Sequence, residues 1–254
     1  MVQTENTAIV LRYANYRDND RMLTLLSPSR GRVDAMLRNC RKPKSHHLNA
    51  GELFALGDYM LYENGGHATV TSVHLIETFH DLRYDFDRLT CGTWLLNLTE
   101  AVIEPEQEEQ ELFLLLLHTL SRLTFSDQEW KPLLAGFLLH FSAIEGFKPR
   151  LNHCVFCEKP LEAESALFFD AEAGGLCCAD CRAKRFPQGR PGAAFPSGVS
   201  PVAAAQIRWM RSALQSGSAS WVNRPDAYAP FSLLRRFVEA RLGRRLKSGA
   251  LLPE

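Results

Sequence analysis

The sequence contains no apolar run approaching the ~20 residues that span a bilayer. Its longest runs, Leu112 to Leu117 and Leu133 to Leu139, stop at His118 and His140. The opening stretch MVQTENTAIVLR has no basic segment followed by an apolar one, so it does not read as a secretory signal. Both absences point to a soluble cytoplasmic protein with no membrane association. Internal repeats are missing too. So are the P-loop, GxGxxG, HExxH, GxSxG and HxE…PCxxC signatures, which removes the commonest nucleotide-binding and hydrolytic classes. Net charge is also absent, because 29 Lys and Arg balance 29 Asp and Glu.

What is present is an ordinary globular composition over 254 residues, 46% hydrophobic and 23% charged. That length suits two or three compact units. The zero net charge averages over a pattern. Residues 1–50 carry +5, residues 51–150 carry −10, residues 151–200 carry −1 and residues 201–254 carry +6. A chain basic at both ends and acidic in the middle can present a basic surface at zero net charge.

The first eighty residues read as strands. Thr7 to Arg12, Met22 to Ser27 and Arg32 to Arg38 are rich in Ile, Val, Leu and Thr and are separated by turn chemistry. Leu53 to Tyr62 and His67 to Ile76 form a hairpin around Asn64-Gly65-Gly66. Five such strands fit an OB-fold, another small barrel or an open sheet, and strand count does not choose.

From Asp85 the period changes. Phe86, Leu89, Trp94, Leu95, Leu98 and Val102 fall on one helical stripe. Further helices are predicted over 111–123 and 129–145, the latter capped by Ser126 or Asp127 and closed by Gly146. Phe186 to Gly198 reads as a loop. Ser200-Pro201 reads as an N-cap and first-turn pair opening a helix to about Leu214, and a last helix runs from about Pro230 to Leu246.

Four of the seven cysteines form Cys154-Val-Phe-Cys157 and Cys178-Ala-Asp-Cys181. Paired CxxC knuckles at this spacing supply four thiolates that converge tetrahedrally on one Zn²⁺. Disulfides do not suit a chain without a secretory signal, and a redox pair needs no twin. A segment this short buries little apolar surface, so the metal would supply much of its stability. Four thiolates also close the coordination shell, which makes the zinc structural. Ala166 to Asp170 and Gly174-Gly175-Leu176 suggest a hairpin between the knuckles, with Cys177 a hairpin residue. Cys40 and Cys91 read as isolated structural thiols. Asp18/Asp20 and Asp85/Asp87 are carboxylate pairs that suit turns and helix caps better than a metal.

The basic residues of the first unit, Arg12, Arg17, Arg21, Arg30, Arg32, Arg38, Arg41, Lys42 and Lys44, fall mostly at strand ends and in loops, with Tyr13 and Tyr16 among them. Cations track a phosphate backbone and aromatics stack on unpaired bases. The densest cluster, residues 38–45, contains proline and reads as a mobile loop. The last helix is read as carrying Arg235, Arg236, Arg241, Arg244, Arg245 and Lys247, more cations than helix capping requires.

Taken in order, Thr7-Ala-Ile-Val-Leu-Arg12, the Tyr16 to Leu26 stretch, Gly31-Arg32, the Arg41-Lys-Pro-Lys-Ser45 loop, the two knuckles and Gly243-Arg-Arg-Leu-Lys-Ser248 resemble the RecO family of bacterial recombination mediators, in its zinc-bearing form. The resemblance runs nearly end to end. It implies an α+β multidomain chain: a five-stranded OB-fold over 1–80, a helical domain beginning at 81–150 and resuming at 199–254, and a four-cysteine zinc element inserted at 151–198. It implies a non-enzymatic protein that binds single- and double-stranded DNA and anneals complementary strands. Such a protein engages the C-terminal tail of single-strand binding protein and, with RecR, helps load RecA onto coated DNA. Its place would be the bacterial cytoplasm, at the nucleoid during repair. Carried over by position, Arg12, Arg21, Arg30, Arg32, Arg38, Arg41, Lys42 and Lys44 are the expected DNA contacts. The rival readings are a zinc-ribbon RNA- or transcription-associated adaptor, a metal-dependent nuclease using Asp18/Asp20, and a protein scaffold.

Overall fold

The computed structural model describes residues 2–162, 165–185, 198–216 and 228–253. The loop expected over 186–198 lies, apart from Gly198, outside the described residues. The chain divides into two compact units, Met1–Ser126 with Leu246–Glu254, and Asp127–Arg245.

The first unit is built on a closed barrel of β1 (Val2–Tyr16), β2 (Asp20–Ser27), β3 (Gly31–Leu37), β4 (Leu56–Asn64) and β5 (His67–Glu77), in the order β1-β2-β3-β5-β4. β1 is longer than its apolar run suggested because both sides of the barrel share it. Its first half pairs with β4 and its second with β2, and an irregularity between Val10 and Arg12 marks the change of partner. A short parallel pairing of β3 with β5, Ala35 to Leu37 against Ala68 to Val70, closes the ring. Alternation then fills the interior with Ala8, Val10, Leu23, Leu25, Val33, Ala35, Leu37, Tyr59, Leu61 and Val70. The opposite faces of these strands are not all wet. Ile9, Leu11 and Leu26 are buried on the outside, where α1 (Phe86–Glu100) packs on β1 and α2 (Gln110–Phe125) on β2.

Asp85 caps α1, its carboxylate accepting the backbone N–H groups of Asp87 and Arg88. The one-stripe reading of this helix needs correction. Cys91, Trp94, Leu95, Leu96 and Leu98 are all buried, whereas Phe86 is 70% exposed. The helix is covered on most sides and its first turn points to solvent.

The second unit is organised around α3 (Trp130–Ile144), whose residues from Pro132 to Ser142 are all buried; of the helices that follow it, the short α4 (Ala179–Arg185), α5 (Ala204–Gln215) and α6 (Phe231–Leu242), the last two pack on α3. The α3 cap is Glu129 rather than Ser126 or Asp127; Ser126 instead ends α2. Gly146, at φ +78°, closes the helix as expected. A three-stranded sheet of β6 (Leu167–Asp170), β7 (Gly175–Cys178) and β8 (Val199–Val202), in the order β7-β6-β8, lies in the same unit. Ser200 and Pro201 therefore sit in a strand and do not begin a helix; α5 starts at Ala204. Proline is tolerated there because β8 is an edge, where one missing N–H costs nothing. An aromatic series, Phe141, Phe147, Phe237 and Phe169, with centroids 5.6–6.2 Å apart, joins α3, the loop after it, α6 and β6.

Candidate nucleic-acid interface and metal centre

The outer face of β2 and β3 carries an open groove of 620 Å³. Its floor includes Met22 and Met36, its ends include Tyr16, Arg17, Asp20, Arg38 and Asn39 on one side and Gly66 and His67 on the other. These are the strands, the β1–β2 turn and the β4–β5 hairpin that OB-folds use for oligonucleotides. Apolar surface beside cations suits unpaired bases and their phosphates together. Strand alternation puts Met22 and Met36 outside, since Leu23, Leu25, Ala35 and Leu37 point inward. An exposed methionine beside core residues was the available signal for this groove.

The loop after β3 borders the groove through Arg38 and Asn39. The Arg41 N–H donates to Asn19 O at 3.1 Å, the Arg41 guanidinium donates to Asp18 O at 3.1 Å, and the Ser45 N–H donates to Lys42 O at 2.9 Å. The loop expected at Pro43 is a string of turns, hydrogen-bonded at Arg41 to the β1–β2 turn. Asp20 belongs to the same fastening, accepting the Asn39 N–H at 2.8 Å.

The eight expected DNA contacts separate into two sets. Arg38, Arg41, Lys42 and Lys44 are exposed around the groove and its loop. The others are engaged within the protein. Arg21 is buried, stacked over Tyr13 at 4.0 Å and donating to Gly51 O at 2.8 Å and Glu52 at 2.7 Å. Arg12 pairs with Glu100 at 2.6 Å, and Arg32 with Asp34 at 3.0 Å. Arg30 is held between Glu63 and Glu106, and the hydrogen bonds its guanidinium donates, to Glu106 first and Glu63 second, raise its pKa.

Cys154, Cys157, Cys178 and Cys181 come together, with their Sγ atoms all within 4.8 Å of one another. Cys157 and Cys178 are 3.9 Å apart at sulfur. A disulfide needs ~2.05 Å. Four sulfurs at ~2.3 Å from a tetrahedral Zn²⁺ lie about 3.8 Å apart, a spacing that the Cys157–Cys178 distance fits. The chain holds the first knuckle by two backbone bonds, Cys154 N–H to Lys159 O and Val155 N–H to Leu176 O, each 2.9 Å. Burial pushes the Cys154 thiol up, but backbone N–H groups of Cys157, Cys178 and Phe156 outweigh it and bring the pKa down to about 6. Hydrogen bonding with Cys157 and then Cys178 pushes Cys181 up to about 12. Four thiolates repel one another without a cation, and a divalent ion removes that conflict. Cys177 is buried in β7 and lies outside the cluster, and Cys40 and Cys91 are buried free thiols, as expected.

The last helix is shorter than expected. Gly243, at φ +63°, ends it, so Arg244, Arg245 and Lys247 lie beyond it. Arg235 pairs with Glu239 at 3.0 Å one turn along the same helix, and Arg236 donates to Ser200 Oγ of β8 at 2.9 Å, so two of its three arginines are engaged within the protein.

Barrel, helices and knuckles in this order define a class of two-unit proteins with an oligonucleotide-binding type of barrel and a four-cysteine cluster that could hold a metal ion. Two family models match in succession: Recombination protein O N terminal over residues 1–79 and Recombination protein O C terminal over residues 83–250. The chain belongs to the RecO family. It is 31% identical over 256 residues to a DNA repair protein RecO of Anaeromyxobacter sp. (strain K), covering all of this chain and 97% of the relative. A second, from Desulforamulus reducens, is 28% identical over 243 residues, 95% of this chain and 90% of the relative. A third, from Symbiobacterium thermophilum, is 30% identical over 174 residues, 68% of this chain and 69% of the relative.

Proposed function

We propose that this protein is a DNA-binding mediator of recombinational repair rather than an enzyme. The β2–β3 groove and its fastened basic loop carry that reading. A single strand lies along the groove with bases over Met22, Met36 and Tyr16, and with phosphates met by Arg17, Arg38, Arg41, Lys42 and Lys44. Duplex DNA meets the same loop through its backbone alone. Arg21 shapes the barrel end from within, and Arg12, Arg30 and Arg32 take part only where their carboxylate partners are displaced. Holding two like-charged strands on basic surface without reading sequence is what annealing requires. RecR, the C-terminal tail of single-strand binding protein and, through them, RecA are the proposed partners. The four thiolates hold one structural Zn²⁺. Functional divisions at 1–80, 81–150, 151–198 and 199–254 belong to the same proposal.

The test is annealing of complementary oligonucleotides, bare and coated with the cognate single-strand binding protein. Annealing of coated strands that is lost in R38A/R41A/K42A/K44A supports the mediator. No annealing by folded, zinc-replete protein contradicts it, and a preference for RNA of equal length favours the adaptor.

A further inference from the structure

The outside of β2 passes through two environments. Met22 lies open in the groove at 36% exposure, whereas Thr24, the next outward residue, is 2% exposed. The groove therefore stops between them, and Asp34 marks the stop. Asp34 lines the groove, accepts the Thr24 hydroxyl at 2.7 Å and pairs with Arg32 at 3.0 Å. Arg12 donates to the same Thr24 hydroxyl at 3.2 Å and to Glu100 at 2.6 Å. Arg30, at the β2–β3 turn, is held by Glu106 at 2.6 Å as well as by Glu63.

The segment after α1 is sewn to the β2–β3 turn by backbone. The Arg32 N–H donates to Glu104 O at 3.1 Å, the Glu106 N–H to Arg30 O at 3.0 Å and the Glu109 N–H to Pro28 O at 2.9 Å. Partly exposed ion pairs add little to stability, so this seam does not need Glu100 and Glu106 to hold it. A carboxylate nevertheless offers a guanidinium the same charge-assisted acceptors that a phosphate does.

We propose that Glu100 and Glu106 are built-in competitors of the phosphodiester backbone, occupying Arg12 and Arg30 in cis and ending the nucleic-acid track at Asp34. The proposal rests on the groove being the DNA site. Its consequence is a short track: polyanion is confined to the Arg17, Arg38 and loop side, and Arg12, Arg30 and Arg32 form a masked cationic face. A strand held over a short length exchanges readily, which suits a protein that must release annealed product.

The experiment is anisotropy of a labelled single-stranded oligothymidylate over a salt series, with wild type, E100Q/E106Q, R12A/R30A and the four-fold combination. Glutamine keeps the shape and leaves the backbone seam intact; thermal unfolding identifies any variant that does not fold, for which E106Q and R30A singly replace the pairs. E100Q/E106Q should bind several-fold more tightly at low salt. Its plot of log affinity against log salt should steepen by about 0.7, for the Arg12 contact that Glu100 gives up, because Glu63 still holds Arg30; E63Q/E100Q/E106Q should steepen it by about 1.4, for two contacts at ~0.7 each. Adding R12A/R30A should erase that gain, and the same pair should matter less in wild type. Unchanged affinity and slope in E100Q/E106Q overturn the mask, as does a gain that survives R12A/R30A. Binding by E100Q/E106Q where wild type has none would sink the groove and leave the mask standing. No binding by either overturns both.

Discussion

Single residues in this protein show how little a cation's position in the chain says about its work. Arg21 sits among polar turn residues and reads as a surface contact, yet Tyr13, Gly51 and Glu52 enclose it. Arg21→Ala should strip Glu52 and Gly51 O of their charged donor and lower the unfolding free energy by about 1.5–3 kcal/mol, measured by denaturant titration. Gly31 was legible as the end of the turn Ser27-Pro28-Ser29-Arg30-Gly31, but not the close approach that requires it. Its reason is a backbone at φ +61° and a missing Cβ that would otherwise stand 2.4 Å from Glu104 O, a residue 73 positions away. Gly31→Ala should cost at least ~1–3 kcal/mol from the strained backbone alone. Gly146→Ala, where a Cβ meets open space, should cost less. His140 on α3 is a third case, since burial lowers its pKa to about 4 against a raising hydrogen bond to Ala213 backbone. The folded protein then binds fewer protons than the unfolded chain, so His140 lowers stability as pH falls from about 6.5 towards 4. His140→Leu should flatten the thermal midpoint over that window; an unchanged slope would contradict it.

Elements were readable where local pattern and burial agree. Apolar and β-branched runs bounded by turn residues marked all five barrel strands, and CxxC spacing gave the cysteine cluster because two turns suffice to aim four sulfurs. Readings failed where a distant partner decides. β8 looks like a helix start until β6 lies beside it, and α6 ends at Gly243 although apolar and basic residues continue past it. The extent of the metal element was also hidden. Its sheet is completed by β8 and packs Phe169 on Phe237, while Arg211 of α5 donates to Leu151 O at 2.6 Å and Leu161 O at 2.8 Å. Cys178→Ser should therefore lower bound zinc and the stability of the knuckles without unfolding the β6–β7–β8 sheet. Metal analysis and hydrogen exchange resolve the two effects. Full zinc stoichiometry in that variant would refute the four-cysteine assignment.

At the scale of the molecule, the charge blocks of the sequence turn out to be paired in space within the first unit. Cations of residues 1–50 meet carboxylates of residues 51–150 at Arg12–Glu100, Arg30–Glu63 and Arg30–Glu106. Block arithmetic foretold a basic surface but not which part stays open, because that depends on the return of the chain after α1. The open part is the groove end and loop bearing Arg17, Arg38, Arg41, Lys42 and Lys44. The most direct measurement is the salt dependence of single-stranded DNA binding by wild type and by folded R38A/R41A/K42A/K44A. Wild type should bind with a steep salt slope, and the four-fold variant should lose about 2.8 of it at ~0.7 per phosphate contact. Equal slopes and affinities for the two proteins would contradict the account.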